Sequence, residues 1–184
     1  IDVRILPMSD DFVATCILSD EGELEFQRYF VQRRCEPVVR AIEFRGADKA
    51  SPAPGVTNAI LSADAILIAP SNPYLSVDPI LAVPGISEAL RSSKTPVVAV
   101  SPLVGGAAVK GPTAKLMREL GVEVTNGAIA RHYDGIISGL VIDTGDDAPP
   151  GVAVETTETL MTTLEDRKRV ARAALSLAQR LGGS

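Results

Sequence analysis

The sequence predicts an α/β domain of three layers, α/β/α, built on a parallel sheet with a β-rich insertion near its start. Three observations carry that prediction. The apolar runs Ala65 to Ala69, Val97 to Val100 and Leu140 to Ile142 are short and uninterrupted, as in strands covered on both faces. Stretches of helical character separate them, which is the pattern of a parallel sheet with helices on each side. The first 45 residues instead alternate apolar and polar positions between turn residues, as a hairpin does.

In chain order, Val3 to Leu6 reads as a strand entering a turn at Met8-Ser9-Asp10-Asp11, and Phe12 to Leu18 as a second strand. Ser19-Asp20-Glu21-Gly22 is turn chemistry, and Leu24 and Phe26 alternate with Glu23 and Glu25 to complete the hairpin. Gln27 to Arg34 can form a short helix ended by Pro37, and Val38 to Phe44 is extended again. Residues 1–45 are therefore expected to form a β-rich subdomain, and residues 46–184 a Rossmann-like α/β core. Within the core, helices are expected at Val56 to Leu61, Val77 to Leu81, Ile86 to Arg91, Pro112 to Leu120 and around Ala128 to Tyr133. Val122 to Val124 adds to a further α/β unit, and Val152 to Val154 is a last short strand. The clearest helix runs from Glu165 to Leu181. Thr163 can cap it, and Val170, Ala173, Ala174, Leu177 and Leu181 line one face.

Composition narrows the function classes. Of 184 residues 46% are hydrophobic and 22% charged, which suits a packed globular chain. A formal net charge of -5 argues against a nucleic-acid footprint over the whole surface, though not against an anionic small ligand held by local donors. Cys16 and Cys35 read as ordinary thiols of a cytoplasmic protein. No apolar run reaches the roughly 18 residues of a membrane span, and no signal peptide is recognisable. The chain opens at Ile1 already in apparent strand, so an N-terminal part of the fold is expected to lie outside this sequence.

The chemistry is expected where apolar runs stop. In an open α/β sheet ligands lie beyond the carboxyl ends of the strands. Ala65 to Ala69 ends in Pro70-Ser71-Asn72-Pro73, and Val97 to Val100 in Ser101-Pro102, which would bring Ser71, Asn72 and Ser101 to one sheet edge. Gly105, Gly106 and Lys110 follow before a helix start at Pro112. Glycines let main-chain amides approach a phosphate, and lysine supplies a full positive charge. The segment is neither a Walker loop nor a dinucleotide fingerprint, and the glycines can equally serve tight turns. Asp10 and Asp11 can bind a metal or an amide-rich ligand, or merely cap their turn. Asp146-Asp147 reads as a solvated loop near Pro149-Pro150, and the single histidine, His132, as structural or exposed.

One ordered set of motifs is more specific. Leu6-Pro7-Met8-Ser9-Asp10-Asp11, Phe26-Gln27 with Tyr29-Phe30-Val31, and Ala69-Pro70-Ser71-Asn72-Pro73 with Ser76 and Pro79-Ile80-Leu81 come first. Val83-Pro84-Gly85-Ile86, Val100-Ser101-Pro102, Gly105, Lys110-Gly111, Arg131-His132-Tyr133, Asp143 and Asp147 follow. Together they resemble the C-terminal portion of the 2-phospho-L-lactate transferase family. The resemblance implies transfer of a phospholactyl, phosphoenolpyruvyl or phosphoglyceryl group from a guanosine-diphospho-activated donor to the deazaflavin Fo, with release of GMP, in coenzyme F-420 biosynthesis. It implies magnesium as cofactor, a homodimer, and a substrate-binding set of Ser71, Asn72, Pro73, Ser76, Ser101, Gly105, Gly106 and Lys110. The family's opening strand, Gly-rich loop and Asp-containing stretch have no counterpart here. Asp10 and Asp11 are consequently the weak candidates for the catalytic base. The alternative is a non-catalytic nucleotide-sugar-binding regulator of the gluconeogenesis-factor type, which shares the pattern from Ser76 to Ile86. Ser71-Asn72-Pro73 and the turn at Met8 to Asp11 favour the transferase.

Overall fold

A computed structural model describes residues 3–105, 107–108 and 112–183 of the chain. Packing divides it into two units. The first comprises Ile1–Ser62 with Tyr74–Ser92, the second Ala63–Pro73 with Ser93–Ser184.

The first unit is organised by an antiparallel sheet of β1 (Ala14–Ser19), β2 (Gly22–Glu25) and β3 (Val39–Arg45), in the order β2-β1-β3. The hairpin expected from alternation is present, with Ile17 opposite Leu24 on one side and Ile42 on the other. Its turn is closed by Ser19, whose Oγ donates to the Gly22 carbonyl at 2.7 Å and accepts from the Glu21 amide at 3.2 Å. Val3 to Leu6 is not a strand: residues 3–7 run as irregular chain with Val3 and Ile5 exposed. Arg28–Gln32 forms a turn of π-helix that buries Tyr29 completely. Cys16 is buried and Cys35 half-buried, and no disulfide joins them. Three short helices follow, α1 (Val56–Leu61), α2 (Asp78–Leu81) and α3 (Ile86–Ser92), with α3 packed on the other two.

The second unit contains an all-parallel sheet of four strands: β4 (Ile66–Ile68), β5 (Val97–Val100), β8 (Gly139–Asp143) and β9 (Ala153–Thr157), adjacent in that order. A small ribbon of β6 (Leu103–Val104) and β7 (Ala107–Ala108) leaves the end of β5. Helices α4 (Thr113–Glu119) and α5 (Asn126–His132) lie between β7 and β8, and α6 (Leu164–Gly182) closes the chain. No strand forms at Val122 to Val124. This parallel sheet flanked by helices, with a β-rich segment before it, is the α/β fold that the apolar runs predict.

The core is assembled where α6 lies on the sheet. Val170, Ala174, Leu177 and Ala178 pack with Val98, Val100 and Val141. Gly139 permits that approach, since a Cβ there would stand 2.8 Å from Leu177 Cδ2. The helix starts with a full capping box, in which the Asp166 amide donates to Thr163 Oγ1 and the Thr163 amide donates to the Asp166 carboxylate. Those bonds, the Thr163 amide first and then the Thr163 and Thr162 groups around it, hold the Asp166 carboxyl well below the usual carboxylate range. One expectation needs correction. Among the described residues the run at Ala65 to Ala69 forms not a strand covered on both faces but a three-residue strand at the end of the strand order, with Leu67 40% exposed. β5, paired on both sides, is the buried one throughout.

Candidate functional site at the carboxyl edge of the parallel sheet

Because β4, β5 and β8 are parallel, the residues that follow them emerge at one edge of the sheet. At the end of β5, Ser101 is 2% exposed, and its amide donates to the Val141 carbonyl of β8 at 2.9 Å. Its Oγ accepts from the Leu103 amide at 3.1 Å and donates to Asn126 Oδ1 at 2.6 Å. Asn126, the first residue of α5, is 6% exposed and donates from Nδ2 to Asp146 Oδ2 at 3.1 Å. Three elements distant in sequence are thereby joined by one chain of hydrogen bonds. Every donor in it points toward the Asp146 carboxylate.

Asp146 is set in place by the backbone as well. Residues Asp143 to Asp146 make a tight turn, closed by the Asp146 amide donating to the Asp143 carbonyl at 3.1 Å. Gly145 sits in it at φ +95°, a conformation that side-chain-bearing residues rarely adopt. Asp143 itself, the last residue of β8, accepts at Oδ1 from both the amide (2.7 Å) and the hydroxyl (3.0 Å) of Thr159. The solvated loop expected at Asp146 is therefore half-buried and hydrogen-bonded into the sheet edge.

The other sequence candidates divide between the two units. Ser71 and Asn72 are half-buried beyond β4, in the same unit as Ser101, and the Asn72 amide nitrogen is shielded from solvent. Pro73 is buried and Gly105 is exposed, with φ +60° and open space where a Cβ would stand. Gly106 and Lys110 lie outside the described residues. Ser76 is exposed in a π-helical turn, Pro73–Val77, and belongs to the first unit.

Asp10 and Asp11 also belong to the first unit, where their turn is stitched to a neighbouring segment. Asp11 Oδ2 accepts from the Ser51 amide at 2.8 Å, and Ser9 Oγ donates to the Ser51 carbonyl at 2.6 Å. The Met8 carbonyl accepts from Ala53 at 3.1 Å. Ser9 caps the turn by accepting from the Asp11 amide at 3.0 Å, Asp11 ties it to Ser51, and both Asp10 and Asp11 are exposed. His132 packs edge-on against Tyr133 at the end of α5. Among the described residues no three His, Cys, Asp or Glu side chains are grouped to hold a metal ion. No helix among them is long and apolar enough to cross a membrane.

Sequence reasoning missed Asn126 and Thr159 and misread Asp146. The signal available was modest: Asp143 closes an apolar run, and Thr125 opens α5 as its cap, accepting from the Ala128 amide at 3.1 Å. Nothing local shows that Asn126 faces Ser101, because 25 residues separate them.

Fold and edge together define a class, that of α/β proteins with an open parallel sheet whose polar groups gather at the carboxyl ends of the strands. The chain belongs to the 2-phospho-L-lactate transferase CofD family, whose model matches residues 1–179. It is 43% identical over 188 residues to the phosphoenolpyruvate transferase of Streptomyces griseus, covering 96% of this chain and 59% of that protein. It is 40% identical over 185 residues to the 2-phospho-L-lactate transferase of Methanopyrus kandleri, covering 98% and 59%. The chain thus spans about three-fifths of the length of these relatives. Among solved structures, a Bacillus halodurans protein of the UPF0052 family shares the fold with a TM-score of 0.61 and 20% identity, over 92% of this chain and 60% of that one.

Proposed function

We propose that the protein takes part in moving a three-carbon phospho-acid group from a guanosine-diphospho-activated donor to the deazaflavin Fo, in coenzyme F-420 biosynthesis. The observation that carries this reading is the match to a transferase family along almost the whole chain, with Ser71-Asn72-Pro73 at a strand end of a parallel sheet. In the reaction, the deazaflavin side-chain hydroxyl attacks the phosphorus that bears the acid. The bond from that phosphorus to the bridging oxygen breaks, GMP leaves with the electron pair, and the hydroxyl proton is released. Such a transfer needs positioning and charge stabilisation more than covalent chemistry from the protein. Ser71 and Asn72 offer hydrogen-bond donors for the donor substrate's phosphates.

Relatives carry the names phosphoenolpyruvate transferase and 2-phospho-L-lactate transferase, so the assay supplies both activated donors. The expected result is GMP release from at least one donor, dependent on added Fo. Tight binding of UDP-sugars without GMP release would overturn the reading in favour of a nucleotide-sugar-binding regulator.

A further inference from the structure

Helix α6 carries two apolar stripes, and its own sheet covers only one of them. Val170, Ala174, Leu177 and Ala178 are buried against β5 and β8. Leu164, Ala171 and Leu175 are exposed instead, Leu164 at 62% and Leu175 at 45%. Together with Lys168 they follow one another at spacings of four, three and four residues, which on an α-helix is a single continuous stripe. Lys168 does not interrupt it. Its ammonium donates to Glu165 Oε1 at 2.7 Å, which draws the charge to one side and leaves the methylene stem for the stripe.

The flanking charges say what such a stripe fits. Glu165 and Arg172 border it on the same side, and both are exposed. In an antiparallel pair of two α6 helices, about a two-fold axis at the level of Arg169 and Val170, the stripe is its own complement. Leu164 then faces the partner's Leu175, and Lys168 faces the partner's Ala171, whose small side chain lets the helices approach. The same register sets Glu165 beside the partner's Arg172, and the two-fold axis repeats that ion pair. A parallel pair would instead set Glu165 against Glu165 and Arg172 against Arg172.

We propose that this stripe of α6 is where two copies of the chain associate, as an antiparallel helix pair closed by two Glu165–Arg172 ion pairs. The inference does not rest on the transferase reading. Four side chains per copy fall short of the roughly 800 Å² per partner of a standard stable interface, so the association is weak and depends on concentration.

Sedimentation velocity tests this from about 5 to 500 µM protein, the span in which a weak interface assembles. The weight-average sedimentation coefficient is expected to rise with concentration. Leu175→Asp, Glu165→Arg and Arg172→Glu should each weaken dimerisation about tenfold or more, since each sets a charge against an apolar or like-charged neighbour. The double variant Glu165→Arg with Arg172→Glu restores opposite charges across the axis and should return to within about threefold of the parent. That rescue separates a lost contact from a damaged fold, which a second reversal would not repair. A protein that stays monomeric over the whole range overturns the proposal. So does a dimer unaffected by the single substitutions, or one that the double reversal fails to restore.

Discussion

The turns that follow β4 and β5 have similar chemistry in sequence, a hydroxyl residue beside proline after an apolar run, yet the fold uses them differently. Ser101 follows a strand paired on both sides, is 2% exposed, and commits its hydroxyl to Leu103 and Asn126. Ser71 follows an edge strand and stays half-buried with Asn72. A central strand has neighbours on both flanks whose loops can reach across it. An edge strand has such a neighbour on one flank only. The locked turn is thus the one after β5, and the turn after β4 is the one proposed above to meet the donor's phosphates.

The largest expected effect tests the strands themselves. Leu140→Ala, in a fully buried position of β8, should cost about 2–5 kcal/mol in urea unfolding. Leu67→Ala, at the 40% exposed edge, should cost less than about 1 kcal/mol on transfer energy alone. Equal costs would break the distinction between centre and edge.

At the turns, Ser101→Ala strands a buried amide and an amide oxygen, and the expected loss of stability is about 1–3 kcal/mol. Ser71→Ala should stay within about 0.5 kcal/mol of the parent, as half-exposed positions usually do. For the ligand the order reverses at the β4 end: Asn72→Ala should weaken GDP binding by about 1–3 kcal/mol, if a ligand group is left without its partner. Unchanged affinity in calorimetry would remove Asn72 from the cradle.

The helix shared by both strands provides the smallest effects and a control. α6 packs on β4, β5, β8 and β9 alike, so loosening its start should not discriminate between the two turns. Thr163→Ala is expected to cost about 1 kcal/mol. Since the folded Asp166 carboxyl lies below its unfolded value, its contribution is present above the usual carboxylate range. That contribution is lost as pH falls toward the folded value. The urea midpoint of the parent should therefore fall more steeply under acid than that of Asp166→Asn, and parallel acid limbs would contradict the assignment.

Several features were legible residue by residue. Val97 to Val100 was recognisable because a strand buried on both faces must be apolar at every position. α6 was legible because its apolar face repeats at helical spacing and Thr163 and Asp166 cap it locally. Val3 to Leu6 misled, because alternating apolar residues suit a strand only when a partner strand is there to pair with them. At the candidate site Ser71, Asn72 and Ser101 could be placed from the breaks in the apolar runs. The Asn126–Asp146 link could not, since it spans 20 residues and depends on how α5 meets the turn after β8.

By itself, then, the sequence determined the class of fold, the capped terminal helix, the hairpin and the family, because each rests on local spacing or on an ordered set of motifs. Tertiary structure alone decided that β4 ends the strand order among the described residues, that Asp11 accepts from the Ser51 amide, and that residues 74–92 pack with the first unit. It also decided that Ser101, Asn126 and Asp146 form one chain of hydrogen bonds. The reason is that hydrogen-bond partners far apart in sequence are chosen by the packing that brings their elements together, and no local preference encodes that choice.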